Sequence, residues 1–213
     1  MTVSVGVVDY GIGNVKSIIG ALDKVGAQVI LTDNPEQLLQ SDAMILPGVG
    51  AFGHAMQQLK ERNLDQVIRE FTDSKRQFLG ICVGMQLLFT TGEEFGEHAG
   101  LGIIPGTVSK ISLKSESTAP LPHISWNELY AGDNQNWAGS ILEGLGSGEN
   151  VYFVHSYVGT PDCSQDILAV TEYDGLHLCA AVQHENITGC QFHPEKSGET
   201  GLKIIDNFIK KSR

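Results

Sequence analysis

The sequence predicts an α/β fold: a single domain over residues 1–213, with a mainly parallel central sheet, flanking helices and added antiparallel strands. Three observations lead there. Up to residue 81, short apolar strands alternate with stretches of helical periodicity, the pattern of a parallel sheet with crossover helices. Glycine-rich turns follow three of those strands, at 10–13, 47–50 and 80–84, where open α/β sheets bind their ligands. Beyond residue 100 the apolar runs are strand-like and joined by turns such as Tyr173-Asp174-Gly175, which suit antiparallel pairing.

The elements follow in order. Strand 3–8 leads into the turn Tyr10-Gly11-Ile12-Gly13, and a helix starts near Asn14 with Val15, Ile18, Ile19, Leu22 and Val25 at helical spacing. Strand 28–32, a short helix near 35–40 and strand 43–46 come next, the last ending at Pro47-Gly48-Val49-Gly50. Helical patterns cover 51–61 and 64–72, before strand 77–81 and a tight turn expected to leave as a further helix. Leu101–Ile111, Leu121–Leu129, Val151–Tyr157, Ile167–Tyr173, Leu176–Gln183 and Thr188–Phe192 read as strands added to the central sheet. Lys114–Pro120 and 132–150 read as loops. Gly201–Lys211 is an amphipathic helix with Leu202, Ile205, Phe208 and Ile209 on one face.

Composition narrows the function. A chain of 213 residues can bury about 70% of its unfolded surface. The net charge of −11, with no basic run, argues against nucleic acid as partner, because phosphate binding needs clustered Lys and Arg. The first residues read as a strand, with neither a basic leader nor a membrane span. Cys82, Cys163, Cys179 and Cys190 show no C-x-x-C spacing, so structural zinc is not expected and reduced thiols in the cytoplasm are the simplest account. Cys179 and Cys190 fall in apolar strands, and Cys163 in a loop. The turn at 10–13 lacks the third glycine of a dinucleotide-binding loop, since that position is Lys16, so no nicotinamide cofactor is expected. His54, His98, His123, His177 and His184 have no metal-site spacing and read as surface or locally hydrogen-bonded residues.

The segment 77–89 carries the chemistry. An apolar strand enters Gly80-Ile81-Cys82-Val83-Gly84 and is expected to leave as a helix, which is a nucleophile elbow with a thiol at its tip. A helix N-terminus behind Cys82 would favour the thiolate, although a cysteine buried on a packed turn would show the same residues. Near the other end, Cys190-Gln191-Phe192-His193-Pro194-Glu195 reads as a strand ending at a proline. In an extended chain His193 and Glu195 face the same side, so the carboxylate can orient the imidazole. Together the three make a Cys-His-Glu set of nucleophile, base and orienting acid. Acyl transfer through a thiol also needs oxyanion donors, and the backbone of Val49 and Gly50, with the N–H of Val83, suits that task. A turn using glycine only for conformation would leave the same trace at 47–50.

Pro47-Gly48-Val49-Gly50, Gly80-Ile81-Cys82-Val83-Gly84-Met85-Gln86 and His193-Pro194-Glu195-Lys196-Ser197 resemble the triad-type, class I glutamine amidotransferases. Asp9-Tyr10-Gly11-Ile12-Gly13-Asn14, Pro122-His123-Ile124-Ser125-Trp126-Asn127, Tyr152-Phe153-Val154-His155-Ser156-Tyr157 and Thr171-Glu172-Tyr173-Asp174-Gly175 narrow the likeness to the glutaminase subunits of imidazole glycerol phosphate synthase. Ser125 departs from the usual glycine before the tryptophan, and Val83 from the common leucine. The resemblance implies a flavodoxin-like amidotransferase fold and a γ-glutamyl thioester on Cys82. It implies glutamine held by Gly50, Gln86 and the main chain of His155, Ser156 and Tyr157. It also implies Asn14, Trp126, Tyr152 and Lys196 at an interface with a (β/α)₈-barrel cyclase, in a heterodimer that receives the ammonia, with no cofactor and no metal. Two readings stay open beside it: a related glutaminase feeding another synthase, and a cysteine peptidase-like hydrolase.

Overall fold

The computed structural model describes residues 2–13, 15–132 and 136–213. Its first half alternates strand and helix: β1 (Ser4–Val8), α1 (Val15–Lys24), β2 (Gln28–Thr32), α2 (Pro35–Gln40), β3 (Ala43–Leu46), α3 (Phe52–Glu61), α4 (Leu64–Asp73) and β4 (Gln77–Ile81). A one-turn helix α5 (Val83–Gln86) leads to the short strands β5 (Phe89–Gly92) and β6 (His98–Ala99), then to β7 (Ile104–Lys110). The strands β8 (His123–Ala131), β9 (Glu149–His155), β10 (Tyr157–Pro161), β11 (Ile167–Tyr173), β12 (Leu176–His184) and β13 (Ile187–Cys190) precede the closing helix α6 (Gly198–Lys211).

A nine-stranded sheet runs β2-β1-β3-β4-β13-β12-β11-β8-β9. Its β2-β1-β3-β4-β13 half is parallel. From β13 to β9 every pairing is antiparallel. All residues of β3 and β13, and all but the first of β1 and β4, are buried, as expected of strands covered on both faces. The covering helices present apolar stripes: Ile18, Ala21 and Leu22 on α1, Leu64, Val67, Ile68 and Phe71 on α4. Helix α2 starts cleanly because Asn34 Oδ1 accepts from Gln37 N at 3.1 Å and Pro35 sits where no N–H is needed. Helix α6 buries Ile204, Ile205, Phe208 and Ile209, while Leu202 is only half-buried.

Three expectations are corrected. The helix after Cys82 lasts a single turn. Leu87, Leu88 and Phe89 are all fully buried, and such an apolar run carries no period to distinguish helix from strand, so the chain turns out into β5. Residues 104–110 do not join the central sheet; β10-β7-β5-β6 form a separate four-stranded sheet, into which the chain passes when the run expected as one strand breaks at Ser156. Residues 187–190 belong to the parallel half, through β4, as well as pairing antiparallel with β12. Among the described residues no helix is long and apolar enough to cross a membrane.

Candidate active site

The parallel strands β1, β3, β4 and β13 deliver their C-terminal ends to one edge. Register sets what meets there: Leu46 pairs with Gly80, and Cys190 with Ile81, so the residues just past β3, β4 and β13 are neighbours. Cys82 sits at the elbow with φ 55° and ψ −114°, a conformation that residues with a Cβ rarely adopt. Its N–H donates to Cys190 O at 2.7 Å, and its carbonyl accepts from Gln86 N at 3.2 Å, so both neighbours enforce the strain. A Cβ on Gly84 would lie 1.9 Å from Leu46 O. Only glycine there lets the elbow press against the end of β3, which brings Pro47–Gly50 beside the thiol. Tyr10, fully buried, donates its hydroxyl to Pro47 O at 2.8 Å and holds that segment from below. Burial, with the charge of Cys82 nearby, pushes the Tyr10 phenol up, so it stays a neutral donor.

His193 and Glu195 meet as expected, by a different backbone. The strand ends at Cys190, and Pro194–Lys196 form a 3₁₀ turn rather than continuing extended. Pro194 opens that turn because its missing N–H is not needed there. Ser197 locks it: its hydroxyl donates to His193 O at 2.7 Å and accepts from Tyr152 N at 3.0 Å. The imidazole Nδ1 then lies 2.8 Å from Glu195 Oε1, with both side chains almost wholly buried. Nε2 is buried without a fixed hydrogen-bond partner among the described residues, and is the ring nitrogen left to serve Cys82. Burial opposes charge on the ring, but the interaction with Cys82 and the hydrogen bond to Glu195 outweigh it, raising the His193 pKa to about 9. An imidazolium beside a sulfur is an acid with its proton already loaded.

Cys82 and His193 open onto a cavity of about 300 Å³, at the small end of ligand sites. Val49, Gly50 and Val83 line it, as do Gln86, His155, Ser156 and Tyr157, so the candidate oxyanion and substrate residues converge on the thiol. Gly50 has φ +85°, which the turn back toward the cavity requires. Glu195 stands behind His193, outside the lining. Lys196 lines the rim, with its Nζ 5.9 Å from the Tyr152 ring centre, and Tyr152 lies 6.0 Å from exposed Trp126. Three of the four candidate interface residues thus form one strip running from the cavity to the surface; Asn14 lies outside the described residues. A larger groove of about 650 Å³ between α3 and segment 94–99 holds neither Cys82 nor His193 and shares only Glu94 with the cavity.

Glu94 and Gln191 join the site although no motif marks them, and His123 is one of the locally hydrogen-bonded histidines. Among the described residues Glu94 is the only acidic one lining the cavity, and its Oε2 accepts from Phe52 N at 2.8 Å; nothing in Glu93-Glu94-Phe95 distinguishes it from a solvated charge. Gln191, fully buried, lies between Gln86 and Cys82. His123 is fully buried, with Nδ1 3.0 Å from His155 Nε2 and its ring stacked on Tyr173. Burial lowers the His155 pKa to about 4, so the ring is neutral and donates from Nδ1 to Tyr157 O at 2.8 Å. Cys179 and Cys190 are buried, with Cys179 pushed up to about 12 by burial, and Cys163 is exposed. Among the described residues no group of three or more His, Cys, Asp or Glu is placed to hold a metal ion.

The family model for class-I glutamine amidotransferases matches residues 6–212. The chain is 44% identical over 207 residues to imidazole glycerol phosphate synthase subunit HisH of Sulfurimonas denitrificans, covering 97% of each. It is 43% identical over 207 residues to the HisH subunit of Aquifex aeolicus, covering 97% of this chain and 96% of that one. Among solved structures, a glutamine amidotransferase aligns with TM-score 0.73 at 20% identity, over 98% of both chains. Thermotoga maritima PurLQS aligns at 0.71 and 18%, over 99% of both. These two likenesses show the fold. A match spanning nearly every residue, around an elbow, an imidazole and a carboxylate gathered at one sheet edge, leads to one conclusion: the chain belongs to the class-I glutamine amidotransferase family, in the group of the HisH subunits.

Proposed function

We propose that this chain is the glutaminase subunit of an imidazole glycerol phosphate synthase, acting in histidine biosynthesis with Cys82, His193 and Glu195 as its catalytic residues and residues 1–213 as one amidotransferase domain. The observation that carries the reading is the buried His193–Glu195 pair, at 2.8 Å, opening with Cys82 onto one small cavity. Cys82 Sγ attacks the side-chain carboxamide carbon of glutamine. The oxyanion is held by backbone N–H groups of Val49 or Gly50 and of Val83, each such donor being worth roughly 2.7–4 kcal/mol. His193 gives its proton to the departing nitrogen, the C–N bond breaks, and ammonia leaves a γ-glutamyl thioester. The now neutral imidazole takes a proton from water, whose oxygen attacks the thioester; glutamate departs and the thiolate returns with an imidazolium beside it. Glu195 keeps Nδ1 protonated and the ring in place throughout.

Gly50, Gln86 and the main chain of His155, Ser156 and Tyr157 hold the substrate. Glu94 supplies the one negative charge suited to its α-ammonium group. Glu94→Gln is expected to raise KM for glutamine about tenfold, roughly 1.4 kcal/mol, with kcat little changed. Steady-state kinetics check this, and an unchanged KM rejects the assignment. Ammonia freed into water at neutral pH takes up a proton and ceases to be a nucleophile. A docked synthase must therefore receive it, and the strip of Trp126, Tyr152 and Lys196, with Asn14, is the docking face for a (β/α)₈-barrel cyclase. The four free cysteines suit the reducing cytoplasm. Glutaminase assays with and without that partner and its nucleotide test the reading: stimulation by both is expected. Equal stimulation by an unrelated ammonia-dependent synthase would favour the related-glutaminase alternative.

The raised pKa of His193 carries a sign. The folded chain binds this proton more tightly than free histidine does at 6.5, so the stabilisation is complete below 6.5 and is lost as pH rises through about 9. Thermal melting should therefore decline across that interval. Glu195→Gln removes the carboxylate charge, should flatten the decline and should slow glutamine hydrolysis about 10²–10⁴-fold. An unaltered slope with unaltered rate would exclude the pair.

A further inference from the structure

We infer that Gln191 is a positioning residue for the nucleophile, donating a side-chain N–H to Cys82 and so favouring the reactive thiolate; this rests on Cys82 being the nucleophile. Gln191 is wholly buried, 109 residues from Cys82 in sequence, and Nε2 lies 3.9 Å from Sγ. Its other end is occupied, because Oε1 accepts from Gln86 Nε2 at 2.9 Å.

The orientation of both carboxamides follows from hydrogen-bond chemistry. Tyr157 O can only accept, so the Gln86 atom 3.1 Å from it must be the nitrogen. That same nitrogen faces Gln191, which must answer with its oxygen. The Gln191 amide is thereby turned so that its N–H groups have only the sulfur side left. His155 reinforces the order, since its neutral ring also donates to Tyr157 O. Both donors of Gln86 are committed, as is Nδ1 of His155, and the set ends at the thiol. The thiol itself can donate to Val154 O at 4.0 Å, a contact that only the protonated sulfur can use. Ionisation drops that contact and strengthens the one from Gln191, because hydrogen bonds to charged groups are the stronger ones. His193 supplies the proton chemistry; Gln191 supplies a fixed dipole that needs no reorganisation when charge develops. The link through Gln86 also ties the group that holds glutamine to the group that holds the sulfur.

Two variants separate the roles of the carboxamide. Gln191→Glu keeps an oxygen for Gln86 but presents no N–H to sulfur; Gln191→Met keeps length and burial and presents neither. In the wild-type protein without glutamine, Cys82 should react with iodoacetamide at neutral pH, with exposed Cys163 as internal reference in the same digest. Both variants should slow Cys82 alkylation about tenfold at neutral pH, with the rate recovering at alkaline pH, so that the profile moves to higher pH. A packing defect alone would not displace that profile. Rates within twofold of wild type in a folded variant overturn the inference. If both variants fail to fold, the wild-type protein decides. The Gln191 side-chain ¹⁵N–¹H resonances should titrate with the thiolate absorbance, and resonances that do not move overturn it. Failure of the underlying reading looks different: a glutamine-derived electrophile such as diazo-oxo-norleucine would then leave Cys82 unlabelled in the wild type.

Discussion

Cys82→Ala is expected to lower glutamine hydrolysis by on the order of 10⁶-fold, the scale on which removing the nucleophile of a triad enzyme acts. Ammonium salts should still support synthesis by the complex with its partner. The large loss follows from the division of labour. In the proposed mechanism His193 and Glu195 act on protons that move only because sulfur forms and breaks bonds to carbon, so without Cys82 they would have no covalent intermediate to serve. The backbone donors remain, and should leave a small residual rate. The substitution removes one sulfur at a strained turn whose hydrogen bonds are made by the backbone, through Cys190 O and Gln86 N, so the elbow persists. Parallel assays with glutamine and with ammonium, on the same preparation, check both halves. Equal survival of the two activities would refute Cys82 as nucleophile; equal loss would mean that the fold or the docking face was damaged instead.

Gly84→Ala is expected to cost about 3–5 kcal/mol, beyond the usual range for a single substitution. The new methyl group would stand 1.9 Å from Leu46 O and 2.9 Å from its carbonyl carbon, and a strand carbonyl cannot rotate away as a flexible side chain could. Either β3 or the elbow has to move, and both are buried on all sides. Tm should fall by roughly 6–20 °C on the usual scaling for a domain of this size. Residual folded protein should be a poor glutaminase, because the displacement separates Pro47–Gly50 from Cys82. Gly20→Ala is the matched control. Gly20 lies inside α1 with nothing within 4 Å of a new Cβ, so the change should stabilise by about 0.5–1 kcal/mol. Equal effects of the two substitutions in calorimetry would rule out the close-approach account.

The first four strands of the parallel half, β1 to β4, and the helices between them were legible in the sequence. Runs such as Val5-Gly6-Val7-Val8 and Ala43-Met44-Ile45-Leu46 are buried on both faces and read as strands, and the stripes of α1 and α4 carry the helical period. β5, β6 and β10 were not legible, because each is short and exists only through pairing with another strand. The helix expected after Cys82 failed for a related reason: Leu87-Leu88-Phe89 is uniformly apolar, and its direction is chosen by the sheet that receives it. Within the site, Cys82, His193 and Glu195 announced themselves by residue type and spacing. Glu94 and Gln191 did not, since a lone Glu or Gln means nothing until its surroundings are known, and the contact between His123 and His155 exists only through the pairing of β8 with β9.

By itself the chain determined which reactive groups exist and which turns carry them: a thiol between two glycines, an imidazole two residues from a carboxylate, and a glycine-bracketed valine after a strand. Tertiary structure alone decided that these groups meet. The decisive event is the parallel pairing of Ile187–Cys190 with Phe78–Ile81, which sets Cys82 beside Gln191 and leaves His193 lining the same cavity as the sulfur. The physical reason is that helices and turns are governed by neighbours a few residues apart, whereas strand register between distant segments is settled by the burial of whole sheet faces, which no local stretch of sequence records.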